Sequence, residues 1–144
     1  MYFVAKKGSS FMLIKQTTGM NNSGVIINEV LNFYKAKKEL KLKNAKLVSF
    51  GSTRKLNIKV EEDPQVKALV DAGTEYVCIV GKSSNLHITK AIETDVEEAV
   101  KMATDTIEYL KSNGKKVFFD AEHFFDGYKS NPKYALECLK AAYN

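Results

Sequence analysis

The alternation of helix and strand patterns after residue 24 is the feature that most constrains the fold of this sequence. Apolar residues recurring at steps of three and four predict four helices, over residues 25–42, 61–73, 94–113 and 131–143. Continuous apolar runs between them predict three short buried strands, at Leu47–Phe50, Tyr76–Val80 and Val117–Phe119. Strands that alternate with helices of this length form β/α units around a parallel sheet.

The connection rules leave two architectures for such a chain. Right-handed crossovers are compatible with an open doubly wound sheet or with an arc of a (β/α)₈ barrel. A length of 144 residues argues against a complete barrel, which typically needs about 250 residues. The sequence therefore predicts an α/β fold with three or four β/α units.

Local signals mark where the helices begin and which faces are buried. The predicted helix starts are Asp63 followed by Pro64, Thr94 with Glu97 in a capping box, and Asn131 followed by Pro132. Tyr76–Val80 has no polar residue, which predicts a strand buried on both faces. The buried stripe of the last helix is predicted to comprise Tyr134, Ala135, Leu136, Leu139, Ala142 and Tyr143.

The first 24 residues show no clear pattern, although Phe11–Ile14 is consistent with a short buried strand. At the N-terminus apolar residues precede the charges, the reverse of a secretory signal. No apolar run approaches the roughly 18–20 residues that span a bilayer. Cys78 and Cys138 lie in apolar stretches, as reduced core thiols do. We expect a cytoplasmic protein with no membrane partner, in which segment 1–24 precedes a domain at residues 25–144.

The charge balance does not by itself indicate a nucleic-acid partner. The chain has 22 Lys+Arg and 17 Asp+Glu, a net charge of +5. Its lysine run, from Lys35 to Lys46, is not interleaved with aromatic residues as in single-strand binders. Such a run is more often a solvated helix face, so we expect no nucleic-acid partner.

Polar residues follow each predicted strand, where α/β folds gather their functional groups. These segments are Gly51–Lys55, Gly81–His87 and Asp120–Lys129. Gly81-Lys82-Ser83 is not a phosphate loop, because position 76 is Tyr where the motif needs glycine. Neighbouring side chains of a strand point to opposite faces, so Glu122 and His123 are not expected to share a metal site if the strand continues. A solvated loop that caps the next helix, and a structural role for His87, stay open as alternatives.

The same loops resemble the third-strand region and beyond of citramalate synthases, in the 2-isopropylmalate synthase family of HMG-CoA lyase-like, metal-dependent barrels. The matching segments are Leu42–Arg54, Glu61–Pro64, Val70–Thr74, Gly81–Ser83, Leu86–Thr89 and Phe119–Lys129. The resemblance covers about residues 30–144 and implies a partial (β/α)₈ TIM barrel, an arc of parallel strands three to five with flanking helices.

The resemblance also implies a reaction. The family condenses acetyl-CoA with a 2-oxo acid, and its citramalate branch uses pyruvate in branched-chain (isoleucine and leucine) amino-acid biosynthesis. A divalent metal, Mg²⁺ or Mn²⁺, holds the oxo acid, and a carboxylate removes a proton from the acetyl group. By this resemblance Glu122 is the base, His87 and Ser83 line the substrate side, and Thr53 and Arg54 contribute after the third strand. Glu122, His87 and Arg54 are expected to project into one hollow.

Two metal-binding motifs of the family do not occur in this sequence. The family's Thr-Leu-Arg-Asp-Gly motif and its His-x-His pair are absent, and Gln16 stands where an aspartate belongs. We therefore expect no metal ligand in this chain and an enzyme fragment that is inactive alone. Exposed strand edges favour a marginally stable monomer, or a homo-oligomer or other association that pairs them again. The alternative is a non-catalytic half-barrel that binds or assembles with a partner.

Overall fold

The computed structural model describes residues 3–5, 11–15, 37–39, 41 and 46–143. Its strands are β1 (Phe3–Ala5), β2 (Phe11–Lys15), β3 (Lys46–Ser52), β4 (Tyr76–Lys82) and β5 (Lys116–Glu122). Its helices are α1 (Pro64–Asp71), α2 (Asn85–His87), α3 (Val96–Ser112), α4 (Phe124–Ser130) and α5 (Pro132–Tyr143). A 3-10 turn (Val60–Glu62) precedes α1, and α2 continues into a π-helical turn (Ile88–Ile92). Of the helix predicted over residues 25–42, residues 37–39 are helical, and the rest, apart from residue 41, lies outside the described residues.

The five strands form one sheet in the order β1-β2-β3-β4-β5. The pairs β2–β3, β3–β4 and β4–β5 are parallel, and β1 runs antiparallel to β2. The three predicted strands are thus confirmed as neighbours, and Phe11–Ile14 belongs to a strand that pairs with β3. Each is longer than predicted, because backbone pairing continues through Gly51 and Gly81 into polar residues.

The helices pack on one face of this sheet and make the main core there. The core joins Val77 and Ile79 of β4 to side chains of α1 and α3, namely Val66, Leu69, Ile107 and Leu110. Burying side chains of this size stabilises by about 1.5–3 kcal/mol each. Gly51 lies on the same face, where a Cβ atom would be 2.9 Å from Leu69 Cδ1. Its missing side chain lets α1 approach the strand.

The opposite face of the sheet is only partly covered, which corrects two predictions. On β4 the residues Tyr76, Cys78 and Val80 are half-buried, so this strand is not buried on both faces. On β5 Phe118 is 40% exposed, so Val117–Phe119 is not a buried run. The physical reason is that, among the described residues, all the helices in the core cluster lie on the other side.

Helix boundaries follow the local signals with one shift. Asp63 caps α1 by accepting from the backbone N–H groups of Gln65 and Val66, and Asn131 accepts from that of Tyr134. The predicted cap Thr94 is wrong. Asp95 caps α3 instead, because its extended backbone aims the carboxylate at the N–H of Glu98 at 2.8 Å.

The buried stripe of α5 also differs from the prediction. Tyr134, Ala135 and Cys138 are buried, and Tyr134 and Cys138 pack with Ile88. Leu136, Leu139 and Tyr143 are exposed, Tyr143 at 89%. The helix therefore presents a narrower face to its neighbours than the apolar pattern predicts. Within the described part of the chain, every helix is too short or too polar to cross a membrane.

The two cysteines are free thiols in different settings. Cys138 is buried, as predicted for a core thiol. Cys78 is half-buried on the open face, where burial and the charge of Asp120 raise its pKa to about 11. The burial of Cys138 and the raised pKa of Cys78 each favour the protonated thiol near neutral pH.

Candidate functional site

An ion pair between Lys82 and Glu122 lies at the carboxyl ends of β4 and β5. The two residues are partners in the parallel register, so their side chains leave the sheet on the same face. Lys82 Nζ donates to Glu122 Oε2, and the side chains are 30% and 36% exposed. Sequence reasoning selected Glu122 and missed Lys82. The only available signal was the place of Lys82 after a strand, because the register that pairs the two is tertiary information.

The Glu122 carboxylate is held in its charged form. The hydrogen bond from Lys82 lowers the pKa of Glu122 and outweighs the opposing effect of burial. The charges of Lys82, His123 and His87 lower this pKa further. Its second oxygen, Oε1, is 4.0 Å from Nε2 of His123. The result is an ionised carboxylate with one oxygen bound by an ammonium group and the other facing an imidazole.

The backbone conformation of His123 places its imidazole near the Glu122 carboxylate. Its φ of +59° lies in the left-handed region, ends the alternation of β5 and precedes α4. The strand therefore does not continue through His123. The condition under which Glu122 and His123 would point to opposite faces is not fulfilled. The His123 ring stacks on that of His87 with 4.2 Å between centroids and 24° between planes. Left-handed non-glycine residues are uncommon and concentrate at functional sites.

The segment after β4 carries three buried polar atoms without a hydrogen-bond partner in the described part of the chain. They are Ser83 Oγ, Asn85 Oδ1 and His87 Nδ1. Ser83 is fully buried beneath α4. The helix can come this close because residue 127 is a glycine; a Cβ atom there would lie 2.0 Å from the Ser83 carbonyl oxygen. An unsatisfied buried polar atom costs about 1–3 kcal/mol, and each of the three retains unused hydrogen-bonding capacity.

Arg54 does not reach this group of side chains. It is 5% exposed, and its Nε and Nη2 atoms donate to Asp105 and Glu98 of α3 at 2.8 Å each. Burial opposes its charge, but the hydrogen bonds and charges of the two carboxylates outweigh it and raise its pKa. The expectation that Arg54 projects with Glu122 and His87 into one hollow is wrong, because α3 binds its guanidinium.

A cavity of about 450 Å³ lies between the ends of β3 and β4, the loop after β3, the π-helical turn and α3. Its wall includes Thr53, Arg54, Val80, Lys82, Ile92 and Met102. Lys82 is thus shared by the cavity and the ion pair. Of the predicted residues, Glu122 lies beside His123, on which His87 is stacked. Ser83 lies in the segment that carries His87, and Thr53 and Arg54 line the cavity.

The described residues do not fit a metal ion. Across residues 46–143 and the shorter described segments, no three His, Cys, Asp or Glu side chains are grouped closely enough to hold one. Glu122 is instead paired with a lysine. We therefore assign no chemical step in this chain to a metal.

Comparison with known proteins gives a consistent result. Residues 32–144 match the family described as HMGL-like. Over 110 residues the chain is 56% identical to the (R)-citramalate synthase of Aquifex aeolicus, and 44% identical to those of Streptomyces coelicolor and Geobacter sulfurreducens. Each alignment covers 76% of this chain and 21% of the relative.

The chain thus spans about a fifth of the length of the curated relatives it matches. The HMGL-like domain is a (β/α)₈ barrel. The predicted fold class, an arc of parallel strands with flanking helices, is confirmed.

Proposed function

The chain belongs to the HMGL-like family, and on this premise we propose that it supplies the base-bearing strands of an acyltransferase that condenses acetyl-CoA with pyruvate to form citramalate. The observation that carries the proposal is the ionised Glu122 at the end of β5, which is bound through one oxygen by Lys82 and faces His123 with the other, while His87 stacks on His123. Relatives named (R)-citramalate synthase support pyruvate as the oxo acid. The pathway is then branched-chain amino-acid biosynthesis in the cytoplasm.

In the proposed reaction Glu122 is the general base. Its carboxylate takes a proton from the methyl group of acetyl-CoA. The resulting carbanion forms a bond to C2 of pyruvate, while the π bond of the C2 carbonyl breaks to give an alkoxide. The alkoxide takes up one proton, which balances the proton lost to Glu122. Water then hydrolyses the thioester and releases CoA, so one water is consumed for each citramalate formed. Because the methyl C–H is weakly acidic, the carboxylate must lie within contact distance of it.

The oxo acid is proposed to bind beside the base. Ser83 Oγ and His87 Nδ1, which have no hydrogen-bond partner within the described segments, are proposed to bind a carboxylate or carbonyl oxygen of the oxo acid. Thr53 lines the adjoining cavity and is proposed to contact substrate there. The family is generally dependent on a divalent metal, proposed to be Mg²⁺ or Mn²⁺. No step of the proposal is assigned to it, because the described residues do not fit a metal ion.

A non-catalytic half-barrel is the second candidate, and the open face of the sheet favours it. Phe118 and Asp120 are exposed there, and β5 is the last strand in the described sheet. Unpaired strand edges attract further strands. We propose that the chain associates through this edge, with a copy of itself or with a complementary barrel half. Co-purification with such a half, without any effect of Glu122→Gln on the activity of the complex, would favour this candidate.

The catalytic proposal is tested by grafting. Residues 32–144 replace the aligned segment of the Aquifex aeolicus enzyme, and citramalate formation is measured from pyruvate and acetyl-CoA with Mg²⁺. The chimera is expected to turn over, and Glu122→Gln to lower kcat by about 10²–10⁴-fold. Glu108→Gln, at an exposed position of α3, is the matched control.

A folded chimera without turnover, or one in which Glu122→Gln is harmless, contradicts the proposal. The 144-residue chain alone is expected to be inactive, which stays a prediction. Robust turnover by that chain would refute it.

A further inference from the structure

Lys82 is anchored at both its backbone and its side chain. The Lys82 carbonyl accepts a hydrogen bond from the Tyr134 hydroxyl, and Tyr134 is 1% exposed in the core. The next residue, Ser83, donates its N–H to the Glu122 carbonyl at 3.0 Å. The backbones of Lys82 and Glu122 are therefore held to each other and to α5.

The side chains of the pair are arranged asymmetrically. Lys82 Nζ donates to Oε2 of Glu122, while among the described residues the polar neighbour of Oε1 is the imidazole of His123 at 4.0 Å. A glutamate on a strand end otherwise has several rotatable bonds and loses rotamer freedom when ordered. The contact to one oxygen restricts the orientation of the carboxylate and leaves the other oxygen facing the imidazole.

The pair is poorly suited to stabilising the fold. Both side chains are about one-third exposed, and such ion pairs contribute only about 0–1 kcal/mol. Its position argues for another role, because Lys82 also lines the cavity between β3 and β4. On the premise that Glu122 is the base of the proposed function, we propose that Lys82 is a positioning residue. It binds Oε2 of Glu122 and thereby directs Oε1 at the acetyl group of the substrate.

In the part of the chain that the structure describes, three charged or titratable groups act on Glu122. They are Lys82 from β4, His87 from α2 and His123 from the β5–α4 junction. Arg54 is paired with α3 and is not among them. Of these groups Lys82 makes the hydrogen bond that lowers the pKa of Glu122 most. Removing Lys82 should therefore make Glu122 a stronger but less well-ordered base.

Lys116 provides a matched control at the other end of the same strands. Its ammonium group binds Glu75 at 2.7 Å, and both side chains are exposed. Lys116→Met removes a strand-end ion pair without touching Glu122. Lys82→Met and Lys82→Gln remove the cation, and Lys82→Arg retains it.

The first measurement uses the full chain and needs no turnover. The ¹³C signal of the Glu122 carboxyl group is followed through a pH titration, and its side-chain order is followed by relaxation. Lys82→Met and Lys82→Gln are expected to raise the titration midpoint and to increase motion. Lys82→Arg and Lys116→Met should leave both near the wild-type values. An unchanged midpoint and unchanged order in both Lys82→Met and Lys82→Gln would overturn the proposal.

The second measurement places the same variants in the chimera. A misplaced base is expected to reduce kcat by up to about 100-fold, with a smaller change in KM and partial recovery in Lys82→Arg. If Glu122→Gln abolishes turnover while Lys82→Met does not lower kcat, the positioning role fails and the proposed function stands. If the titration responds to Lys82 but Glu122→Gln is active, the proposed function fails and only the link between the two side chains is supported.

Discussion

The loop after β3 and the ends of β4 and β5 both carry charged residues at the same edge of the sheet, but they use them differently. In the loop Arg54 and Asp63 are buried and fully engaged. Arg54 binds two carboxylates of α3, and Asp63 accepts three backbone N–H groups. At the other two strand ends, Lys82 and Glu122 are half-exposed and make one contact with each other.

The difference separates structural charges from reactive ones. A buried ion must have its hydrogen bonds satisfied within the fold, because desolvation is otherwise too costly. Such a group has no bonding capacity left for a ligand. A half-exposed carboxylate with one free oxygen keeps that capacity and contributes little to stability. Substitutions in the loop should therefore cause large losses of stability, and substitutions at the strand ends should cause small ones.

The largest loss of stability is expected for Arg54→Met. The change leaves Glu98 and Asp105 without their cation, and breaking a buried pair typically costs about 3–5 kcal/mol. Because both carboxylates are roughly 30% exposed and can be hydrated, we expect the lower part of that range. Urea unfolding checks this, with Lys55→Met, an exposed neighbour, as the control. A loss below about 1 kcal/mol would mean that the network is no stronger than a surface pair.

A smaller loss is expected for Asp63→Asn. The amide oxygen can still accept from Gln65 and Val66, but the amide nitrogen then meets the N–H of Lys55, now 2.7 Å from Oδ2. Two donors facing each other in a buried position should cost about 1–3 kcal/mol. Thermal unfolding measures the loss, and the exposed Glu62→Gln is the control. Equal stability of the two variants would contradict the role of Asp63 as the link between loop and helix.

At the strand ends, His123→Gly is expected to stabilise the fold while removing a site residue. Relief of the left-handed conformation is worth about 1 kcal/mol or more, reduced by the greater freedom of glycine in the unfolded chain. His87→Gly is the matched control, since His87 has an ordinary φ of −78°. That change should destabilise by about 0.5–1 kcal/mol. Loss of stability in both variants would show that the stacking of the imidazoles outweighs the strain.

The smallest effect is expected from the pH dependence of Glu122. Its pKa is lowered in the folded state, so its contribution to stability is present above the ordinary value of 4.5 and is lost as pH falls through the lowered value. Urea unfolding of the wild type and of Glu122→Gln at pH 7 and pH 3 should show a stability difference that shrinks on acidification. A difference that grows on acidification would mean that the folded protein prefers the protonated carboxyl.

Features that depend on neighbouring residues were predictable from the sequence. Asp63 before Pro64 and Asn131 before Pro132 cap helices as expected, because a cap needs only a side-chain oxygen two or three residues from the N–H groups it binds. The three strands were found from their apolar runs. Their lengths were underestimated, because pairing through Gly51 and Gly81 depends on the neighbouring strand.

The candidate site was predicted only in part. Glu122, His87 and Ser83 were selected from the resemblance and lie in the segments at the ends of β4 and β5. Lys82 and His123 were missed, since one depends on strand register and the other on a left-handed backbone. Arg54 was wrongly expected to project together with Glu122 and His87, because its guanidinium pairs with Glu98 and Asp105, which are distant in sequence.

The sequence by itself determined the order of the elements, two of the three predicted caps and the family, because periodicity, capping and motif identity are all written in short stretches of residues. Only the tertiary structure decided which charges are satisfied and which remain open. That outcome depends on the register of β4 against β5 and on the side of the sheet covered by α3. Register and packing join residues about 40 positions apart, such as Lys82 and Glu122, and no local pattern contains that information.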